Sequence, residues 1–392
     1  MKKTGHERST GGTNLWRLAG VLGLFIAFTY GQAFAGVAPG IKVVGNQIVT
    51  TSAGTLGVQS VTANQDVVLR GVNITGSEYE CMAGDSVWDT IPSAETTAAY
   101  QATINAMLAW HANVVRLPLN EDCWLAINGV PAATSGANYI GPINSFANLA
   151  NASGLIVEVD LHWGAGGTTK PKDDSFPAMD TTHSGAFWQS VATNFKNNPS
   201  VIFNLTNEPY ITSWSCYLSG GCTTPKVHGK TWTVLGTQSV VNTIRETVGA
   251  TNPIIIAGLD YSNQLNNWLS NVPSDPDGQI IAGVHIYFDS LDCETSSCWS
   301  TVFGGIQSAG YPVIVDETGE FDTISGGGCG SGSEQNLTAW ADARSPQVGY
   351  WFWAFNDVDY PTCSNGPDLL KNAFTAWANY GTFVKSHLQS VQ

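Results

Sequence analysis

Two glutamates stand where apolar runs give way to polar residues. Glu208 follows Val201-Ile202-Phe203-Asn204-Leu205-Thr206-Asn207, and Glu317 follows Pro312-Val313-Ile314-Val315-Asp316. Other chemically able side chains recur in the same setting. Asn73 and Glu78 close the run Val67–Ile74, Arg116 lies in Asn113–Leu117, and His162 follows Leu155–Leu161. His285 and Tyr287 end Ile280–Ile286, and Trp353 lies in Gly349–Phe355. Facing carboxylates among aromatic rings are what hydrolysis of a glycosidic bond requires. One must be protonated to help the leaving oxygen depart, and the other ionised to attack or to activate water. An arginine and a tyrosine hydroxyl would keep one carboxylate charged, while an apolar setting with a like charge nearby would keep the other protonated. Taken singly, a strand-end glutamate reads as a helix-cap neighbour or a surface ion-pair partner. A lone histidine or tryptophan reads as core. Suitable groups at seven of eight run ends favour one shared site.

The elements that must position these groups follow from the same runs, to which Pro253–Ala257 adds an eighth. Helical stretches are expected at Ala94–Ala112, Tyr139–Ala152, Ala186–Asn197, Glu334–Arg344 and, after the last run, Leu369–Asn379. Continuous apolar strands alternating with helices imply a parallel sheet covered on both faces. Eight such units imply closure into a single (β/α)8 TIM barrel, whose working residues sit at the C-terminal strand ends. Strands four and seven lie on different sides of such a barrel, so Glu208 and Glu317 can face each other across its mouth. An open doubly wound sheet would want a glycine-rich phosphate turn after the first strand. The segment Arg70-Gly71-Val72-Asn73-Ile74-Thr75-Gly76 has no such pattern. Residues 36–66 read as an N-terminal extension carrying a small hairpin over Ile41–Val49, turned at Gly45-Asn46.

Of the 392 residues, 43% are hydrophobic and only 12% charged, which excludes a disordered chain. Sixteen Lys and Arg against 31 Asp and Glu give a formal charge of -15, the wrong sign for nucleic acid. Lys2, Lys3, Arg8 and Arg17 precede the apolar stretch Leu18–Tyr30 and the small-x-small pattern Ala33-Phe34-Ala35. Residues 1–35 therefore read as a secretory signal peptide cleaved near Ala35, and the mature chain as secreted or periplasmic with no further membrane segment. A membrane anchor is the weaker reading, because the apolar stretch is short for a span. Eight cysteines in an oxidising compartment, none at C-x-x-C spacing, point to disulfides rather than zinc. All eight fall in loops after strands, and neighbouring loops give the pairs Cys81–Cys123, Cys216–Cys222, Cys293–Cys298 and Cys329–Cys363. Fourteen tryptophans suggest exposed rings that contact something flat. Trp88, Trp124, Trp163, Trp214 and Trp299 lie in loops as candidates to extend a platform, while Trp110, Trp188, Trp340 and Trp377 lie at helical core positions.

At these residues the chain resembles glycoside hydrolase family 5, within the large clan of retaining (β/α)8 glycosidases. The resemblance rests on Asn207-Glu208-Pro209 behind its apolar strand, with six other pieces in order: Arg70-Gly71-Val72-Asn73, Arg116, Asp160-Leu161-His162, His285-Ile286-Tyr287, Pro312–Glu317 and Trp353. It spans roughly residues 41–380, nearly the whole mature chain. The resemblance implies Glu208 as general acid/base and Glu317 as the nucleophile that forms a glycosyl-enzyme. It implies that Asn207 holds the sugar 2-hydroxyl and that Arg116 and Tyr287 keep Glu317 ionised. It further implies that His162 and His285 line the cleavage subsite, with Trp353 as its stacking floor. Glu78 and Glu320 are added as candidate ligands for sugar hydroxyls. Thr318 follows the nucleophile where cellulases of the family often place an aromatic, and Tyr210 stands where many place His. The implied activity is hydrolysis of β-1,4-linked polysaccharide, foremost as an endo-β-1,4-glucanase acting as a monomer without metal or organic cofactor. β-Mannanase and β-glucosidase are the alternatives on this fold. A non-catalytic carbohydrate-binding barrel would need only the tryptophans. A metallohydrolase would need a third partner for His162 and His285.

Overall fold

The computed structural model describes residues 36–392 except 168–177, 227–228, 289–292, 321–328, 358–366 and 373. Residues 1–35, for which a signal peptide is expected, and Cys363 thus lie outside the described residues. Chain entry is a plug. Strand Ile41–Val44 turns through left-handed Gly45 and pairs antiparallel with Gln47–Thr50, which in turn pairs with Asp66–Val67. A second hairpin joins Gly54–Leu56 to Gln59–Val61. Their inner faces bury Ala38, Ile41, Val43, Ile48, Leu56 and Val61 against one ring of apolar residues at the strand starts. That ring is Leu69, Val114, Ile156, Ile202, Ile255, Ile281, Ile314 and Trp351. Removing this surface from water closes the barrel base.

The barrel strands are β1 Arg70–Asn73, β2 Val114–Asn120, β3 Ile156–Trp163, β4 Val201–Asn204, β5 Ile254–Ala257, β6 Ile280–Ile286, β7 Val313–Thr318 and β8 Gly349–Phe352. All pair in parallel and in sequence order, and β8 closes onto β1. The helices include α1 Thr97–Ala109, α2 Ala137–Ala152, α3 Ser184–Phe195, α4 Thr237–Asn242 with a wider turn over Thr243–Val248, α5 Ser296–Ser308, α6 Gly332–Asp342 and α7 Tyr380–Val391, and short helices also lie in the loops at Glu80–Ala83, Glu121–Leu125 and Trp214–Ser219. Only a 3-10 turn, Trp268–Ser270, stands between β5 and β6 among the described residues.

Three expectations change. The run Val67–Ile74 is two strands: Asp66–Val67 belongs to the plug, and β1 begins at Arg70. Glu317 and Thr318 lie inside β7, not after it, because β6 continues pairing with them beyond a register shift at Val284/His285. Leu369–Asn379 is no helix but a hairpin, Leu370–Asn372 with Thr375–Ala376, before α7. The cause is backbone demand. Leu369 N donates to Ala354 O and Leu370 N to Asn356 O, so this stretch runs extended along the segment leaving β8.

Inside the barrel the side chains alternate along each strand. Val114 is followed two residues on by Arg116, Ile156 by Glu158 and Asp160, Ile202 by Asn204, and Ile314 by Asp316, all buried. The interior thus changes from aliphatic at the base to charged at the mouth. Gly283 makes room at the crossover. A Cβ there would collide with Ile255 Cγ2 and lie 3.1 Å from the Asp316 carboxylate.

Candidate active site

Arg116 is the hub, fully buried on β2. Its guanidinium donates to Glu158 Oε1 at 2.8 Å, to Asn207 Oδ1 at 2.8 Å and to Asn73 Oδ1 at 3.2 Å, and it pairs with Asp160 Oδ2 at 3.1 Å and with Glu317 Oε1. A fixed planar fork of five donors suits this many acceptors; a lysine would not. Around it, Asn204 donates to Glu158 at 3.0 Å and to Asp316 at 2.6 Å, and Trp351 Nε1 donates to Glu158 at 2.7 Å. Sequence reasoning did not single out Glu158. The signal available was a charged residue in an otherwise apolar strand, two positions from Asp160.

Glu317 is anchored at both oxygens, by Arg116 and by the Tyr287 hydroxyl, which donates to Oε2 at 2.6 Å. His285 Nδ1 lies 2.9 Å from Glu208 Oε1 and 3.5 Å from Glu317 Oε2, and its Nε2 is 3.7 Å from Asp316. One oxygen from each glutamate and a His285 nitrogen lie within 4.8 Å of one another. Burial opposes charge on every member of this group, and the neighbours decide the outcome. Burial raises Glu208, and the charge of Glu317 adds to it against His285. Burial also acts upward on Glu317, but His285, Arg116, His162 and Tyr287 outweigh it and hold the carboxyl below its usual range. Burial acts downward on His285, yet Glu317, Asp316 and Glu208 push it up to about 10. The two glutamates are therefore driven apart, one toward the acid and one toward the carboxylate.

The walls come from neighbouring strand ends. Trp353, just past β8, stacks on His162, with centroids 5.7 Å apart and planes 16° apart. His162 Nδ1 is fixed by Asp160 Oδ2 at 3.0 Å. Beyond it Tyr79 and Trp163 meet with centroids 5.8 Å apart. Glu78 is buried beside them and accepts from Gly76 N at 2.8 Å; burial, opposed by His162, pushes it up to about 7. Asn207 is buried at the hub and joins the group. Glu320 accepts from the amides of Ser333 and Glu334, 2.9 and 3.4 Å away, at the start of α6. Thr318 turns outward, its hydroxyl 2.8 Å from Ile286 O and 2.8 Å from Glu334, whose carboxyl burial pushes up to about 8. A protonated Glu334 can donate to the hydroxyl while the hydroxyl donates to the carbonyl.

Several tryptophans sit elsewhere than expected. Trp88, Trp124 and Trp299 are buried core, the last two within helices, so they extend no platform. Trp214 begins a short helix against Tyr217. Trp377 lies outside any helix, half-buried beneath Lys371 Nζ at 5.3 Å. Trp110 and Trp188 are core. Trp340 is only half-buried, with Arg344 over its ring at 5.5 Å. Disulfides join Cys81–Cys123, Cys216–Cys222 and Cys293–Cys298, with Cα separations of 6.3, 5.7 and 5.5 Å. Four of these cysteines lie in helices rather than loops: Cys81, Cys123, Cys216 and Cys298. Cys329 is disulfide-bonded.

Glu208, His285 and Glu317 also supply three atoms at metal-ligand spacing, a grouping the sequence reading did not foresee. A cation there would sit beside the Arg116 guanidinium and would occupy the very oxygens that Tyr287 and His285 already hold. The donor set thus suits two carboxylates of opposite protonation better than a metal. No helix among the described residues is long and apolar enough to cross a membrane.

A closed (β/α)8 barrel with this carboxylate pair at its mouth defines a glycoside hydrolase. Residues 64–358 match the sequence profile of the cellulase family, glycosyl hydrolase family 5, and the chain belongs to that family. It is 24% identical over 319 residues to Endoglucanase 1 of Saitozyma flava, spanning 74% of this chain and 82% of that protein. It is 26% identical over 318 residues to the manganese dependent endoglucanase Eg5A of Phanerodontia chrysosporium, spanning 74% and 73%. A β-glucanase of Saccharophagus degradans, solved in complex with cellotetraose, shares the fold at a TM-score of 0.62 and 17% identity, over 90% of this chain and 94% of that one.

Proposed function

We propose that the chain is a secreted, retaining endo-β-1,4-glucanase in which Glu208 is the acid/base and Glu317 the nucleophile. The facing of the two carboxyls across His285, with Glu317 anchored at both oxygens by Arg116 and Tyr287, carries this reading, and their opposite displacement agrees with it. Glu208 protonates the departing glycosidic oxygen while ionised Glu317 attacks the anomeric carbon, forming a glycosyl ester. Glu208, now ionised, takes a proton from water, which attacks the anomeric carbon and releases Glu317. One oxygen of each glutamate lies within 4.8 Å of the other's, in keeping with the closely set carboxyls that double displacement uses. Asn207, held at the Arg116 hub, is the contact for the sugar 2-hydroxyl. Trp353 and His162 carry the ring being cleaved, and Glu78 reaches its neighbour. Glu320, which accepts from the amides that open α6, is a further ligand for sugar hydroxyls. Acid, base and nucleophile come from the two glutamates, so the reaction as drawn uses no metal or organic cofactor.

The relatives named endoglucanases support β-1,4-glucan as the substrate. Disulfides braced across the catalytic face support an oxidising compartment, and so residues 1–35 as a signal peptide and 36–392 as the mature enzyme. The deciding experiment is a comparison of soluble cellulose, mannan, xyloglucan and mixed-linkage glucan, with the anomer of the first product read by NMR. A β-anomer from a glucan, with viscosity falling faster than reducing ends appear, is the expected result. An α-anomer, or activity on mannan alone, rejects it.

A further inference from the structure

Thr318 follows Glu317 at the end of β7 and is wholly buried, out of reach of a sugar. Its contacts reach the strands on both sides. Its hydroxyl donates to Ile286 O at 2.8 Å, at the end of β6. Its carbonyl accepts from Trp353 N at 2.9 Å, just past β8. The residue after Ile286 is Tyr287, which donates to Glu317. Thr318 thus ties three strands together at the level of Glu317, Tyr287 and Trp353. The backbone ladder is irregular at this level. Register shifts fall between Val284 and His285 on one side of β7, and between Val315 and Thr318 on the other. Where a ladder is interrupted, backbone pairing alone no longer fixes the aim of the side chains.

Two groups outside the site hold Thr318. Glu334, in the first turn of α6 and wholly buried, places Oε1 2.8 Å from the Thr318 hydroxyl. That hydroxyl has one proton, and Ile286 O can only accept. Both contacts are therefore hydrogen bonds only when Glu334 carries a proton of its own and donates it. The setting agrees. Glu334 Oε2 has no hydrogen-bond partner among the described residues, which a neutral acid tolerates and a buried carboxylate does not. Burial pushes Glu334 up to about 8 against its bond to Thr318, and the charge of Glu320 adds to the rise. The second group is Tyr380, at the start of α7. Its hydroxyl donates to Trp353 O at 2.8 Å and shares the proton with Thr318 O at 3.1 Å. Burial, followed by Glu334, Glu320 and Asp368, raises that hydroxyl, so it stays a donor.

We propose that Glu334, donating to Thr318, is a positioning residue for attack on the anomeric carbon, and that the chain Glu334–Thr318–Ile286 sets Glu317 against Tyr287. This rests on the reading of Glu317 as the nucleophile. Neither Glu334 nor Thr318 touches the substrate. The chain holds β7 to β6, and Tyr380 holds β7 to the segment leaving β8. The attacking oxygen and the hydroxyl that keeps it ionised then share one frame. When Glu334 ionises, the Thr318 hydroxyl must turn to the carboxylate and release Ile286 O. The clasp is closed below the Glu334 pKa and opens as pH rises through about 8.

The test measures how fast 2,4-dinitrophenyl 2-deoxy-2-fluoro-β-cellobioside forms the trapped glycosyl-enzyme. Dinitrophenolate leaves without help from Glu208, so the rate reports nucleophilic attack alone. Thr318→Val and Glu334→Leu break the chain from its two ends, and each is expected to label about tenfold more slowly than wild type. Thr318→Ser, which keeps the hydroxyl, and Glu334→Gln, whose amide donates at every pH, are expected to stay within about threefold. Wild type loses rate as pH rises through about 8, and Glu334→Gln does not. Thermal melts show which variants are folded. Should Glu334→Leu fail to fold, Thr318→Val, which keeps the shape of the threonine, breaks the same chain and decides. A folded Thr318→Val that labels at the wild-type rate overturns the proposal. So does a Thr318→Ser as slow as Thr318→Val, or a Glu334→Gln with the alkaline limb of the wild type. A wild-type label on a residue other than Glu317 overturns instead the assignment on which the proposal rests.

Discussion

Replacing Tyr287 by Phe removes one hydrogen bond from Glu317 and little else, because the ring remains. The bond is 2.6 Å long and ends on a carboxylate held ionised in a buried site. A hydrogen bond to an ionised group contributes about 1.5–3 kcal/mol. Arg116 and His285 still face the same carboxylate, so the lower end applies. At about 1.4 kcal/mol per pK unit, the Glu317 pKa rises by about one unit. On the proposed mechanism Glu317 must be ionised to attack, so activity is expected to be lost as pH falls through its pKa. Because the wild-type value is depressed, weaker anchoring raises it and moves the acid limb to higher pH by about one unit. The assay is the pH dependence of kcat/KM on an aryl β-cellobioside, with a thermal melt of each variant to show that folding is kept. An acid limb superimposable on that of the wild type, in a folded Y287F, refutes the assigned role of Tyr287.

Glu317→Gln abolishes turnover, whereas Glu208→Ala on an activated substrate is partly rescued by azide and gives the β-glycosyl azide; an α-azide would mean that the two roles are wrongly placed. Exhaustive chelation leaves activity on soluble glucan intact, measured before and after metal analysis, and a loss restored by one divalent ion would put a cation in the Glu208, His285 and Glu317 group. Non-reducing peptide mapping joins Cys329 to Cys363, and a peptide linking Cys81 to Cys329 would contradict the loop placement. By the loop-entropy relation, the Cys81–Cys123 bridge, 42 residues in separation, contributes about 4 kcal/mol against about 2 for Cys216–Cys222, 6 residues in separation. Denaturant melts of C81S/C123S and C216S/C222S should show that order, and the reverse order would mean that native-state contacts rather than loop closure dominate.

The barrel was legible because each strand carries a mostly apolar run, and seven of the eight runs hold, in or just past them, a side chain of a type rare in cores. Glu208, Glu317, Arg116 and Tyr287 could be read on that ground alone. What failed has particular causes. Leu369–Asn379 has helix-forming residues at helical spacing, but its amides are needed by the segment leaving β8, which no local pattern reveals. Trp124 and Trp299 were read as loop residues, yet each begins or continues a helix after its strand and turns its ring to the core. Trp299 Nε1 finds a partner in Cys293 O at 2.8 Å, which lets the indole be buried whole.

The layering of the interior explains how such a site is tolerated. Arg116 shares its buried space with Glu158, Asp160, Asp316 and Glu317, more acids than one guanidinium neutralises. Buried charge of this kind costs stability unless each group is paired, and paired groups still return little net gain. The polar layer is therefore a poor source of stability for the fold. Apolar packing supplies it, between the helices and the outer face of the barrel and at the base, where eight residues at the strand starts are capped by the aliphatic face of the N-terminal hairpins. Trp351 connects the two layers, its ring in the apolar cluster and its Nε1–H donated to Glu158. Because successive inward residues of one strand lie two positions apart, the same strands serve both layers, and the spacing of the carboxylates at the mouth is set by packing at the base.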